Sequence, residues 1–236
     1  MKTLVFIHGW GTTGGVWRRQ LTGLENLGVK ISAPTLPTWE VPWLIDYLRA
    51  LPLGQSVVVG WSLGGMLLLE ALSRMGDIPG AMVLVAAPAS FCQRPDYPWG
   101  QPAAAVRALR RTIRMDARRG LLDFAGRCLA PQEAVFKRDF FQEFQAGDNG
   151  PHLTAGLDYL LSADLRPSLA GIRGKCFIVQ GEKDAIVPPE QAEVLRRYWN
   201  GARLVRFPQA GHAPFFTRAD EFNKLVEKIV REESGS

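Results

Sequence analysis

Short runs of consecutive β-branched and aliphatic residues alternate along this chain with longer stretches in which apolar residues return every three or four positions. The first pattern suits strands buried on both faces, and the second suits helices laid over them. Strands are expected over residues 3–7, 30–33, 56–59, 81–86, 175–180 and 203–207. Helical spacing covers 16–27, 42–51, the leucine-rich stretch after Gly65, 189–200 and 220–231, with Pro42 at a favoured first-turn position. Strands that alternate with helices imply a mostly parallel sheet of about six strands, covered on both faces, with ligands at the carboxyl ends of the strands.

The strand rhythm stops between residues 88 and 167. Prolines and aromatics (Phe91, Pro95, Tyr97, Pro98, Trp99, Pro102) lead into a helical run over 103–122 and further helical pieces around Phe124 and Phe140. The expected organisation is an α/β core of residues 1–87 and 168–236, with 88–167 as a helical lid inserted over the sheet's carboxyl edge. No internal repeat is present, and the polar tail 232–236 is expected to fray.

A chain of 236 residues with a 47% hydrophobic share supports one α/β domain with an insertion. The apolar run at the start is too short for a signal-peptide core, and no stretch approaches the roughly 20 apolar residues of a membrane span. The expected location is the cytoplasm. Cys92, Cys128 and Cys176 are far apart without metal-ligand spacing, so they are expected to be reduced and structural, with no metal or other cofactor.

The net charge of +5 is concentrated in one place. Residues 101–140 hold nine basic and four acidic side chains, whereas the remainder balances at 19 of each. Arg107, Arg111, Arg114 and Arg118 recur at helical spacing with Arg110 beside them, and Val106, Leu109 and Ile113 form a second stripe. One face is therefore cationic and the other is able to cover a pocket. With no recognised nucleic-acid motif or stacking platform, this stripe does not point to a nucleic-acid partner.

The candidate chemistry centres on Gly60-Trp61-Ser62-Leu63-Gly64, between the 56–59 strand and a helix. Such a turn is too sharp for bulk around it, so Gly60 and Gly64 remove colliding Cβ atoms and the Ser62 hydroxyl is held out at the sheet edge. A serine hydroxyl is a weak nucleophile and requires a base, which in turn requires an orienting acid. His212, just beyond the last strand, is the expected base. His8, at a strand end before a glycine, is expected to brace its loop, and His152, beside Pro151, is expected at the surface. Asp184, after the 175–180 strand, is the expected acid, with Glu182 as its rival; Asp158 and Asp164 are expected to serve helix ends and the junction with the lid.

The order Ser62, Asp184, His212, together with His8-Gly9-Trp10-Gly11 and Gly211-His212-Ala213-Pro214-Phe215, resembles the α/β-hydrolase superfamily. Within it the chain is similar to the pimeloyl-acyl-carrier-protein methyl ester esterases of biotin synthesis. The resemblance covers the chain outside 88–167. It implies an acyl-enzyme mechanism, with the backbone N–H groups of Leu63 and Trp10 as oxyanion donors. The Trp10 and Trp61 side chains are expected either to flank the acyl chain or to pack structurally. It also implies that Arg107, Arg111, Arg114 and Arg118 dock an acidic acyl carrier protein. The chain begins almost directly on the strand before His8, without the two preceding strands common in the superfamily, which leaves one sheet edge exposed or covered by a partner. A general small-ester carboxylesterase or thioesterase, a carbon–carbon bond hydrolase and a ligand-binding receptor on the same fold remain the competing readings.

Overall fold

A computed structural model describes residues 2–144, 150–199 and 201–233. Six strands, β1 (Thr3–Ile7), β2 (Lys30–Ser32), β3 (Ser56–Trp61), β4 (Ala81–Val85), β5 (Lys175–Gly181) and β6 (Arg203–Phe207), form one parallel sheet in the order β2-β1-β3-β4-β5-β6. β1, β3 and β4 are buried along their whole length, which is why they read as unbroken apolar runs. The two edge strands are partly exposed.

The connections are α1 (Arg18–Gly23), α2 (Val41–Arg49), α3 (Leu63–Met75), α4 (Ala103–Met115), α5 (Ala117–Leu129), α6 (Glu133–Phe141), α7 (Gly150–Ser162), α8 (Arg166–Leu169), α9 (Glu190–Tyr198), α10 (Pro214–Thr217) and α11 (Ala219–Glu232). The chain steps from β1 outward to β2, then crosses back to β3 and continues the other way. Since parallel crossovers are right-handed, that reversal puts α1 on one face and α2, α3 and α9 on the other. α11 returns to pack on α1, where the Trp17 ring lies 4.1 Å from Phe215 and 4.9 Å from Phe6, centroid to centroid. The reversal also opens a crevice between the carboxyl ends of β1 and β3, the place where open α/β sheets bind ligands. Strand register sets Ile7 beside Gly60 and Trp61 beside Val85, so His8 and Ser62 emerge next to that crevice.

Two helical expectations are revised by local chemistry. Residues 16–27 do not form one helix: 3-10 turns at Gly14–Trp17 and Glu25–Leu27 flank the short α1, and Gly28 ends the unit in a left-handed conformation (φ 70°). The 103–122 run is broken between α4 and α5 because Asp116 leaves helical geometry and accepts the Arg119 N–H at 2.9 Å as the cap of α5. Arg118 therefore sits on α5, with its guanidinium 5.9 Å from the Phe141 ring, and does not continue the stripe of Arg107, Arg111 and Arg114 on α4.

α7, with glycine, proline and histidine in its first turn, had no sequence expectation; it packs on α4, where Arg110 pairs with Asp158 at 2.7 Å. The tail is ordered through Glu233, which Lys175 reaches at 2.8 Å. Asn200 and residues 234–236, on which two sequence expectations fall, lie outside the described residues.

Among the described residues no helix is long and apolar enough to cross a membrane. Nor does any group of three or more His, Cys, Asp or Glu side chains among them have the geometry to hold a metal ion. All three cysteines are buried and unpaired.

Candidate active site

Ser62 sits between β3 and α3 at φ 53°, ψ −120°, a left-handed conformation that non-glycine residues adopt only under constraint. The constraint comes from both sides of the turn. The Ser62 N–H donates to the Val85 carbonyl at 2.9 Å, and its own carbonyl accepts the Met66 N–H at 3.0 Å. A Cβ on Gly60 would stand 2.7 Å from the Gly65 Cα, as steric reasoning on the turn expects. At Gly64 the collision would be with the neighbouring strand instead, 2.2 Å from the His8 carbonyl oxygen.

Asp184 and His212 meet beyond β5 and β6. The His212 Nδ1–H donates to Asp184 Oδ2 at 2.8 Å, and the side chains of both are fully buried. Asp184 Oδ1 accepts the backbone N–H groups of Ile186 (2.8 Å) and Val187 (2.9 Å), so the carboxylate is oriented and its charge is met by four donors once Gln180 is included. His212 Nε2 is buried and makes no hydrogen bond. That is the nitrogen a general base needs free, since Nδ1 is committed to the carboxylate. Glu182, the rival acid, is exposed.

Tertiary contacts that no motif signals hold the imidazole in place. The Gln180 amide, buried near the end of β5, donates to Asp184 Oδ2 at 3.2 Å and to the Val187 carbonyl at 3.0 Å. The only hint in the sequence is a polar residue closing an apolar strand. The His212 N–H donates to the carbonyl of Cys128 at 2.9 Å, and a Cβ on Gly211 would stand 2.2 Å from the Ala130 carbonyl oxygen. The histidine loop thus rests on the end of α5, one of the helices between β4 and β5. Trp61 donates its Nε1–H to the His212 carbonyl at 2.9 Å and packs against Phe215, so of the two roles expected for this indole the structure displays packing.

Neither the Trp10 nor the Leu63 backbone N–H is engaged in a loop or cap hydrogen bond among the described residues. Leu63 opens α3, whose first N–H groups lack intrahelical acceptors and carry the positive end of the helix dipole. Trp10 is fixed by its side chain, which donates to the Leu153 carbonyl of α7 at 2.8 Å.

His8 is fully buried and braces two loops, donating from Nδ1 to the Gly9 carbonyl (3.0 Å) and accepting the Leu36 N–H on Nε2 (2.9 Å). Burial pushes its pKa down to about 4, against a small opposing pull from the Gly9 carbonyl. The unfolded chain, with the ordinary histidine value near 6.5, binds the proton first as pH falls. This contribution to stability is complete above about pH 6.5 and is lost as pH drops toward 4, on the order of 3 kcal/mol in all. Urea unfolding at pH 7.5 and 4.5 is expected to show a larger acid loss for the wild type than for His8→Asn; equal losses would refute this origin.

His152 departs from its expected exposure. It is half-buried because its ring stacks on Trp39 at 4.8 Å, and that burial lowers its pKa. Asp164 accepts the Arg166 N–H at 3.2 Å at the start of α8 and pairs with the Arg166 guanidinium at 2.7 Å.

An apolar cavity lies beside the loop that carries Asp184. Trp10 and Ile186, from the loops after β1 and β5, meet side chains of α4, α5 and α7 around it. Ser62 (5% exposed) and His212 (0%) are not among its walls, and both are covered in this conformation.

The alpha/beta hydrolase family profile matches residues 4–225. The chain is 30% identical to a pimeloyl-(acyl-carrier protein) methyl ester esterase of Aromatoleum aromaticum, over 97% of this chain and 98% of the relative. It is 31% identical to the protein of the same name from Chromobacterium violaceum, over 94% and 92%. Among solved structures, an esterase from Exiguobacterium antarcticum superposes with a TM-score of 0.89 at 23% identity, covering 98% of this chain and 92% of that one. The six-stranded sheet, the strained serine turn and the match along most of its length agree: this chain belongs to the alpha/beta hydrolase family of enzymes.

Proposed function

We propose that the chain is a serine carboxylesterase in which Ser62 is the nucleophile, His212 the base and Asp184 the orienting acid. Its substrate is the methyl ester of a pimeloyl group carried on acyl carrier protein. The observation that carries the chemistry is the buried Asp184–His212 pair with Nε2 free, placed at the same sheet edge as the constrained Ser62. His212 Nε2 takes the Ser62 proton as Oγ attacks the ester carbonyl, and the Leu63 and Trp10 N–H groups receive the developing oxyanion. Collapse expels the alcohol, protonated by the imidazolium, and leaves the acyl-enzyme. Water, deprotonated by the same nitrogen, then releases the acid. Residues 88–167 act as the lid over this reaction, and the three unpaired cysteines fit a reducing cytoplasm.

Support for the substrate comes from the relatives' names and from charge. Arg107, Arg111 and Arg114 are exposed on α4 and pair with no carboxylate among the described residues. A cationic face of this kind speeds encounter with an acidic carrier protein and makes the encounter salt-sensitive. Raising salt from 50 to 300 mM is expected to lower kcat/KM for a carrier-linked methyl ester while a small free ester is unaffected. Arg111→Glu with Arg114→Glu should reduce the carrier-linked rate about tenfold and spare the free ester. Identical responses of the two substrates would remove carrier docking at α4.

A further inference from the structure

The cavity beside the Asp184 loop is apolar along its walls, with two polar side chains, Gln101 and Arg127. They are not equivalent. The Gln101 amide is spent on the carbonyls of Ala185 (3.1 Å) and Ile186 (2.8 Å), where it closes the loop that follows Asp184. Arg127, on the last turns of α5, is exposed and pairs with no carboxylate among the described residues, Asp123 one turn before it included. Its neighbours differ: Arg110 is paired with Asp158, and Arg118 lies against the Phe141 ring.

The cavity therefore has a polarity. Trp10 and Ile186, both buried, come from the two loops that also carry the proposed oxyanion donor and Asp184. Phe124 and Leu157 are buried walls as well, whereas Arg127 is an exposed wall residue with its guanidinium unpaired. An apolar chain lying here would gain by burial along its length and would present whatever it carries at its far end to Arg127. A guanidinium binds a carboxylate or phosphate oxygen pair in a forked, charge-assisted geometry that a neutral ester or amide does not match.

We propose that this cavity receives the acyl chain and that Arg127 selects esters whose acyl group leads to an oxyanion beyond its apolar stretch. This rests on the esterase reading of Ser62 and deepens it. The oxyanion is either a free carboxylate on the acyl chain itself or the phosphodiester of a carrier arm. Arg127 is a specificity determinant outside the bond-breaking machinery, and its removal leaves the attack on a neutral ester intact.

The test is a matched set of methyl esters: monomethyl heptanedioate, dimethyl heptanedioate of the same chain length without charge, and the methyl ester of a pimeloyl group on phosphopantetheine free of protein. Each is assayed with wild type, Arg127→Gln and Arg127→Lys. Arg127→Gln should lower kcat/KM about tenfold for at least one anionic ester and leave the dimethyl ester within twofold of wild type, with Arg127→Lys between. A loss confined to the monomethyl ester identifies the free carboxylate, and a loss confined to the phosphopantetheine ester identifies the carrier arm. If Arg127→Gln changes no ester, or changes charged and neutral ones equally, the selectivity idea is overturned while the esterase stands. Wild-type protein that cleaves none of the three overturns both.

Discussion

Replacing Ser62 by alanine is expected to lower kcat/KM for ester hydrolysis by about 10⁴ to 10⁶ while the chain stays folded. The bonds that hold residue 62 in the turn are made by its backbone, to Val85 and Met66, and alanine keeps both. What alanine lacks is the oxygen that forms the acyl-enzyme in the proposed mechanism. Ser62→Gly makes a sharper comparison. The backbone at φ 53°, ψ −120° costs a side-chain-bearing residue roughly 1–3 kcal/mol, and glycine occupies it with little strain. The glycine variant should therefore be inactive yet about 1 kcal/mol more stable to urea, a stability–activity exchange that a purely structural serine would not display. Substantial ester cleavage by either variant, measured after removal of contaminating esterases, would end the nucleophile assignment.

Asp184→Asn is expected to reduce turnover by about 10⁴ at neutral pH with little change in KM. The argument turns on which atom faces the histidine. Asp184 Oδ1 accepts two backbone N–H groups, from Ile186 and Val187, so the asparagine carbonyl oxygen will take that position and its amide nitrogen will replace Oδ2. An NH₂ group there donates to His212 Nδ1 and drives the ring proton to Nε2, the nitrogen that in the proposed mechanism accepts from Ser62. The same NH₂ meets the Gln180 amide donor, which adds a local cost. Asp184→Glu should also fail, because the longer side chain cannot keep both the Ile186–Val187 bonds and the imidazole. An Asp184→Asn enzyme with near-normal turnover would remove the acid from the mechanism and reopen the role of Glu182.

The serine turn was legible in the sequence because its causes are local. A β-branched run, two glycines around Ser62 and a leucine-rich helix suffice to specify a strand–turn–helix, and the structure shows that Cβ atoms at Gly60 and Gly64 would not fit. That Asp184 and His212 come to one sheet edge was legible because each follows a strand, and the structure pairs their side chains. Helices α4 to α7, between β4 and β5, were only half legible. The α4–α5 break rests on one aspartate cap, and α7 owes its helix to packing on α4 more than to its first residues.

By itself, then, the sequence determined the strand–helix alternation, the parallel sheet and the residue types brought to its carboxyl edge, all of which follow from short-range pattern and turn chemistry. Only the tertiary structure decided how the imidazole is held: by the Cys128 carbonyl, the Trp61 indole and, through Asp184, the Gln180 amide, residues that lie 32 to 151 positions from His212 in the chain. It likewise decided that Arg110 is spent on Asp158 while Arg127, a wall residue of the apolar cavity, pairs with no carboxylate among the described residues. The physical reason is that hydrogen bonds and packing between distant segments depend on where the backbone has already been placed, and no periodicity along the chain encodes that placement.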